Sequence, residues 1–362
     1  MSSKKVARKP TQAKRNQVHG PMPLFDVELP EGLSAVAFSP DGHHIAAATF
    51  GGLVALVDAR SGALLRELPG HAGGTLSVSF SPDGARLATG GQDGHVRIHA
   101  LDSGQALHAW EAGGAWVEHV LWSPSGAHLA AAAGRSVRIW SHRGTPKGGY
   151  EQHASTVTSI QWSASGTGII SSCNGGIHRL EAGRKRPLET LDAEGAVLAV
   201  AISPDRKFIA AGRQDSSLRL WAVRDSKAVS YDIPGYRSKV RALAWNAASN
   251  LLATGDGAEV AVWELGTRMS ERQGARSLTA HSERVTGLAF RQGGPSSEAL
   301  LSTGHDGQLC GWSPTQGRRP LWALQAGVAL EGLTLSPDKS LVAAIGAGGR
   351  LLAWSFAPPT RH

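Results

Sequence analysis

The sequence predicts an all-β fold, a single β-propeller of eight blades, from three observations. One pattern of three short strands and two tight turns recurs at a nearly constant spacing. Its copies fill almost the whole chain. A sheet this small cannot bury both of its faces, so each copy makes sense only when stacked on the next. The clearest copy is residues 77–102, SVSFSPDGARLATGGQDGHVRIHALD. SVSF leads into the turn Ser81-Pro82-Asp83-Gly84, ARLATG follows, then the turn Gly91-Gln92-Asp93-Gly94, then HVRIHAL. Pro82 presets φ at the second turn position, and Gly84 supplies the positive φ that closes the hairpin. Val78 alternates with Phe80 and Val96 with Ile98, giving each strand one apolar face.

With the residue that opens the first turn as marker, copies begin their turns at Ser39, Ser81, Ser123, Ser163, Ser203, Asn246, Arg291 and Ser336. The gaps are 42, 42, 40, 40, 43, 45 and 45 residues, the period of a four-stranded propeller blade. The third strand ends in Trp140, Trp221, Trp263, Trp312 and Trp354, with Val57, His99 and Leu180 at the other equivalent places. In this the chain resembles the WD40-repeat family, over residues 23–356. Repeat seven matches that family's internal signature with His281, Ser302, Asp306 and Trp312. The resemblance implies a buried relay in which imidazole donates to carboxylate while the hydroxyl joins imidazole and indole. Repeat two has His71, Thr89 and Asp93, with His99 where tryptophan would stand. Repeat five keeps Asp215 and Trp221 but has Ala211 at the hydroxyl position, and repeat one has none of the four.

In chain order, residues 1–20 come first and differ in kind from the rest. Lys4, Lys5, Arg8, Lys9, Lys14 and Arg15 carry +6 with no acid among them, against a net +8 for the chain. Polarity and one-signed charge predict a disordered head, and it lacks the apolar core of a secretory signal. Next, Phe25, Val27 and Leu29 alternate with Asp26 and Glu28, the period of a half-buried strand. This strand has no partners ahead of repeat one, while repeat eight runs out of chain after its third strand. It is therefore expected to complete repeat eight and close the ring, removing exposed sheet edges, with residues 357–362 as a short tail. Seven blades is the alternative count, because repeats four and six have shortened second turns around Asn174 and Asp256. Propensity alone would make the alanine run after His128 a helix. Its phase between the turn at 123–126 and RSVRIW says strand, as for HIAAATF, FIAAGR and LVAAIG.

Chemistry is sparse. The chain has no phosphate-cradling glycine loop ahead of a helix and no Gly-x-Ser-x-Gly elbow, so no enzyme is expected. No apolar run approaches 18 residues, so no membrane span is expected. Two cysteines, Cys173 and Cys310, without a Cys-x-x-Cys pair fit a reducing compartment, hence a cytoplasmic location, or a nuclear one if the source is eukaryotic. Of 15 histidines, His95 and His99 invite a metal, but four positions along one strand separate them by about 13 Å, too far for a shared zinc. No metal or cofactor is expected.

What remains is surface. The family resemblance implies a peptide-docking top face, formed by loops between blades and by the second-to-third-strand turns. It would present Gln92, Trp116, Gln214, Tyr236, Arg237, Lys239, Arg284 and His305, with His119 on an inner strand nearby. Trp116 lies outside the repeated aromatic positions, and either meets a partner or packs on a neighbouring loop. His119 replaces the small residues Ala35, Ser77, Ser159, Ala199, Ala242, Gly287 and Gly332 of the other repeats, and either lines the channel or faces a ligand. Arg237, Lys239, Arg241 and Arg284 form a basic sector over repeats six and seven, suited to acidic peptides or simply solvated. The function expected is a non-catalytic scaffold, monomeric by itself, that binds a protein or peptide partner. The alternative is a nucleic-acid- or ribonucleoprotein-associated factor anchored by the basic head.

Overall fold

The computed structural model describes residues 20–224, 227–266, 274–292 and 298–356. The six cations of the head and the expected C-terminal tail lie outside the described residues. Each repeat is an antiparallel meander, as in repeat one: Leu33–Phe38, His44–Thr49, Val54–Asp58 and Leu64–Leu68, hydrogen-bonded in chain order. First strands of successive repeats pack against one another around the ring. The alanine run is the strand His128–Ala133, and all four of its alanines are buried. Its counterparts His44–Thr49, Phe208–Arg213 and Leu341–Gly346 are strands as well. Tertiary context overrides helix propensity here, because only small side chains fit where neighbouring sheets converge.

The turn between the first and second strands is held by its marker residue in six of the eight repeats. Ser39, Ser81, Ser123, Ser203 and Ser336 each accept on Oγ the N–H five residues ahead, at 2.9 or 3.0 Å. Asn246 does the same with Oδ1, receiving Leu251 N–H at 2.9 Å. All six are buried, so the hydroxyl or amide satisfies a backbone donor that water cannot reach. Three residues after the marker the chain turns left-handed. Gly42, Gly84 and Gly126 serve there at φ near 70°, but Arg206, Ser249 and Lys339 hold φ of 63°, 62° and 57° in the same place.

Among the described residues the strands form seven sheets, so the count of eight separate blades is corrected to the alternative, seven. Six sheets have four strands, and the seventh has six and contains both repeat four and repeat five. Its two long members, Gly168–Glu181 and Glu189–Ile202, have 14 residues each. Gly168–Glu181 pairs with Ser159–Trp162 through 169–172 and with Glu189–Ile202 through 174–179. It doubles back between these stretches near Gly175, φ 97°, since Ala182 N–H reaches Thr167 O at 2.9 Å. Glu189–Ile202 then serves repeat four with its first half and pairs with Phe208–Arg213 through its second. Asn174 pairs with Ala196, and the same strand passes to its next partner at Val197, opposite Arg213, so one continuous strand belongs to both repeats. Eight sequence repeats thus occupy seven sheets.

Closure follows the expected route. Met22–Glu28 pairs antiparallel with Arg350–Ser355, Phe25 opposite Ala353 and Val27 opposite Leu351, with an irregularity between Pro23 and Phe25. Leu24, Phe25 and Val27 pack on a core containing Leu341, Leu351 and Ala353 from the last repeat and Ile45 and Val57 from the first. Arg350 Nε donates to Asp26 Oδ1 at 2.7 Å across the seam, and Leu29 N–H reaches Gly349 O at 2.9 Å.

Two outcomes are expected. Deleting residues 1–28 exposes the edge Arg350–Ser355 and should abolish the cooperative thermal transition, with a synthetic peptide of residues 20–30 restoring it. An unchanged melt would refute the seam as the closing contact. Replacing Lys339 by glycine, which takes φ of 57° without a Cβ penalty, should raise stability by about 1 kcal/mol, read by urea denaturation.

Candidate functional site: inner relays and the top face

Repeat seven shows how the interior polar groups are satisfied. Trp312 Nε1–H donates to Ser302 Oγ at 2.8 Å, Ser302 Oγ–H donates to His281 Nε2 at 2.8 Å, and His281 Nδ1–H donates to Asp306 Oδ1 at 3.0 Å. Asp306 also accepts Ser282 N–H at 2.9 Å, which ties the incoming loop to the second turn. These hydrogen bonds hold the Asp306 carboxyl below the usual range against the opposing effect of its own burial. Repeat two repeats the arrangement: His71 Nδ1 lies 2.7 Å from Asp93 Oδ1, and His71 Nε2 lies 2.8 Å from Thr89 Oγ1. His99, in the tryptophan place, is fully buried with both ring nitrogens unpartnered. Its burial pushes the imidazole down to about 4.

Two further repeats carry relays that the sequence reading missed. His153 Nδ1–H donates to Arg135 O at 2.9 Å, and its Nε2 accepts from Ser171 Oγ at 2.7 Å. Burial pushes this ring, too, down to about 4. In repeat six a tyrosine replaces the histidine. Trp263 Nε1–H donates to Tyr236 Oη at 2.8 Å, and Tyr236 Oη–H donates to Thr254 Oγ1 at 3.1 Å. Asp256 accepts the N–H groups of Arg237 and Ser238, each at 2.5 Å, the part that Asp306 plays for Ser282. Burial pushes the Tyr236 hydroxyl up to about 12. Tyr236, expected on the partner surface, thus has its hydroxyl committed inside the repeat. A signal was available: His71, His153, Tyr236 and His281 each stand four residues ahead of a buried residue that leads the first strand, Thr75, Val157, Val240 or Val285. Repeat five uses guanidinium instead. Buried Arg213 donates to Ser217 Oγ and Ala193 O at 2.7 Å, and buried Arg219 forks onto Asp232 at 2.8 and 2.6 Å.

The other expected surface residues divide into groups. Gln92, Gln214 and His305 occupy equivalent turn positions, and each donates its N–H to the incoming loop, at Gly74 O, Ala196 O and Arg284 O respectively. Trp116 is 54% exposed on the loop entering Val117–Trp122. His119 is half-buried, with Nε2 3.0 Å from Thr158 O of the next repeat, and burial lowers its pKa. That bond accounts for its bulk at a position where the other repeats have small residues. Lys239, Arg284 and Gln214 come together with Arg241 around one pocket of about 350 Å³. Arg237 is exposed outside that lining. Arg284 Nη2 meets His305 Nε2 at 3.0 Å.

Bulges shape the inner rim. Register slips at the second residue of six first strands and at Leu198 within Glu189–Ile202, leaving Ser34, Leu76, Glu118, Leu198, Arg241, Thr286 and Glu331 outside the regular pairing. Bulges re-aim side chains, and the hydroxyls of Ser34 and Thr286 accordingly reach across to the next repeat, at Thr75 O and Leu330 O. Burial raises the carboxyl of Glu118 above its usual range. No periodicity in the sequence marks these positions. Among the described residues no three His, Cys, Asp or Glu side chains converge as metal ligands, and no helix is long and apolar enough to cross a membrane.

Repeated four-stranded meanders, internal His–Ser/Thr–Trp relays and a seam between the chain's two ends define a repeat-built β-propeller. The family model "WD domain, G-beta repeat" matches residues 62–99, 104–141, 144–178, 185–222 and 273–313, more than half of the chain. The chain belongs to the WD40 family. It is 28% identical over 158 residues to an uncharacterized WD repeat-containing protein, C13G6.08, of Schizosaccharomyces pombe. That match covers 42% of this chain and 29% of the relative, so the chain spans well under two thirds of it. Among solved structures, the computationally designed Ika8 protein superposes with a TM-score of 0.78 at 22% identity, over 92% of this chain and all of the design, a likeness of fold.

Stability should depend on pH through His99 and His153. In the unfolded chain both bind a proton below about 6.5, whereas folded they do so only near 4. The unfolded state therefore holds more protons between these values, and stability falls as pH drops from about 6.5 to about 4. His99→Trp should flatten part of that fall and, by bringing an indole N–H toward Thr89, add about 1 kcal/mol at neutral pH; a variant with an unaltered pH profile would refute the assignment. Tyr236→Phe should cost about 1–3 kcal/mol, because the Trp263 N–H then lacks its acceptor, read from the shift in the denaturation midpoint.

Proposed function

We propose that this propeller is a non-catalytic scaffold whose top face binds a protein or peptide partner. The observation that carries it is Trp116, an indole 54% exposed on a loop that enters an inner strand. Exposed tryptophans on rigid supports are frequent energetic anchors of interfaces. Phe50, 55% exposed beside the second turn of repeat one, adds a second aromatic to the same family of loops. WD40 propellers are typically interaction scaffolds rather than enzymes, which supports the reading. A closed ring holds these loops in fixed positions, so a partner pays little ordering entropy on this side.

The test compares capture from native extract by the wild type, Trp116→Ala and Leu65→Ala. Leu65 is 50% exposed on the outer strand of repeat one, away from the loops concerned. A specific partner should be lost from Trp116→Ala by about tenfold or more in affinity and kept by Leu65→Ala. Equal retention by both variants refutes the top face as the docking surface. The second reading rests on Lys4, Lys5, Arg8, Lys9, Lys14 and Arg15, whose unopposed charge suits phosphate backbones. It requires retention on RNA or DNA that falls steeply with salt and disappears when residues 1–20 are removed.

A further inference from the structure

We propose that the pocket between repeats five, six and seven binds the phosphate of a phosphorylated side chain on the partner. The inference rests on the top-face reading and specifies the chemistry of one part of that face. Lys239, Arg241 and Arg284 line this single pocket of about 350 Å³, together with the donor groups of Gln214, Ser216 and Ser238. No carboxylate is in the lining. Among the described residues neither Lys239 nor Arg241 has an ion-pair partner, and Arg284 meets only the ring of His305.

The nearby acids are engaged elsewhere. Asp256 is occupied by the N–H groups of Arg237 and Ser238. Asp215 accepts from Ser217 and lies 3.4 Å from Arg213. Glu283 and Glu331 flank His305 at 3.6 and 3.7 Å. Arg241 occupies the bulged position of Val240–Trp245, which takes it out of the regular alternation of that strand and toward the rim. Space is kept open by Gly257, φ 55°, where an added Cβ would come within 3.2 Å of Ser238 Oγ.

Charge balance selects the ligand. One carboxylate would neutralise a third of this cationic set and offers two oxygens. A phosphate monoester brings a charge of about −1.5 to −2 and three strong acceptor oxygens, and the planar guanidinium fork suits it in two-point contact. Clusters of arginine are a recurrent means of recognising phosphorylated segments.

The test uses the full chain and short fluorescein-labelled glycine–serine peptides carrying one central phosphoserine, serine or glutamate, read by fluorescence polarisation at about 150 mM salt. The phosphoserine peptide should bind about tenfold or more tightly than either counterpart. Arg241→Ala and Arg284→Ala should each remove about tenfold while leaving the thermal melt unchanged. Equal binding of the three peptides, or wild-type binding by both arginine variants, overturns the proposal. So does competition by a short oligothymidylate equal to that of unlabelled phosphopeptide, which would assign the pocket to a nucleic-acid backbone. Trp116→Ala separates the two readings, because it lies outside this pocket: it should leave phosphopeptide binding intact. If partner capture survives Trp116→Ala while the phosphopeptide still binds, the aromatic docking surface fails and the phosphate site stands.

Discussion

The antiparallel pairing of Met22–Glu28 with Arg350–Ser355 joins segments more than 320 residues apart in the chain, and the rest of the ring depends on it. Every other sheet is built from neighbouring sequence and costs little loop entropy to close. This one must be assembled from both ends, and until it forms the last repeat presents an unpaired edge. Its contents match that duty. The same strand contributes Phe25 and Val27 to a core shared with Ile45 and Val57 of repeat one, so closing the last sheet also secures its contact with the first. Phe25 packs so closely on the Gly62 turn that a Cβ at Gly62 would fall 2.6 Å from its ring.

With the ring closed, each repeat faces the same local problem, a buried polar interior between an incoming loop and the second turn. Different side chains meet it. Repeat seven uses the complete His281–Ser302–Asp306–Trp312 chain of hydrogen bonds, and repeat six replaces imidazole with the Tyr236 phenol while keeping the carboxylate on the loop N–H groups. Repeat four keeps His153 and Ser171 with a backbone carbonyl in place of the acid. In repeat five, Arg213 and Arg219 bind loop carbonyls and Asp232 directly. What is common to them is satisfaction of buried donors and acceptors, worth about 1–3 kcal/mol for each group otherwise stranded. Among the described residues the exceptions are His99, a buried imidazole with neither nitrogen paired, and the buried Trp122 Nε1–H.

Rigidity inside leaves the loops on the top face free to differ. Aromatic exposure at Phe50 and Trp116 belongs to the loops of repeats one to three, while Lys239, Arg241 and Arg284 gather over repeats six and seven. In the proposed scaffold role, this division matches a partner with an apolar anchor and a separate anionic group. His119 shows the limit of reading that face from pattern alone: it breaks the small-residue rule of its position, and its ring bonds to the neighbouring repeat.

The repeat, its strands, its turn markers and the closing strand were all legible in the sequence, because they rest on short-range physics. Strand alternation, a turn with proline and glycine at fixed places, and a strand without local partners can be recognised from spacing. Even the alanine run after His128 yields to phase. Positions decided by contacts between repeats were not legible. Whether repeats four and five form two sheets or one depends on whether Glu189–Ile202 runs as one strand with partners from both. The role of Tyr236 depends on where Thr254 and Trp263 place their polar atoms. The cationic pocket exists because a bulge at Arg241 brings it beside Lys239 and Arg284, a residue 43 positions further along the chain than Arg241. Local sequence specifies dihedral preference and which face is apolar. It does not specify which atoms of distant repeats come within hydrogen-bonding distance, and only the closed ring decides that.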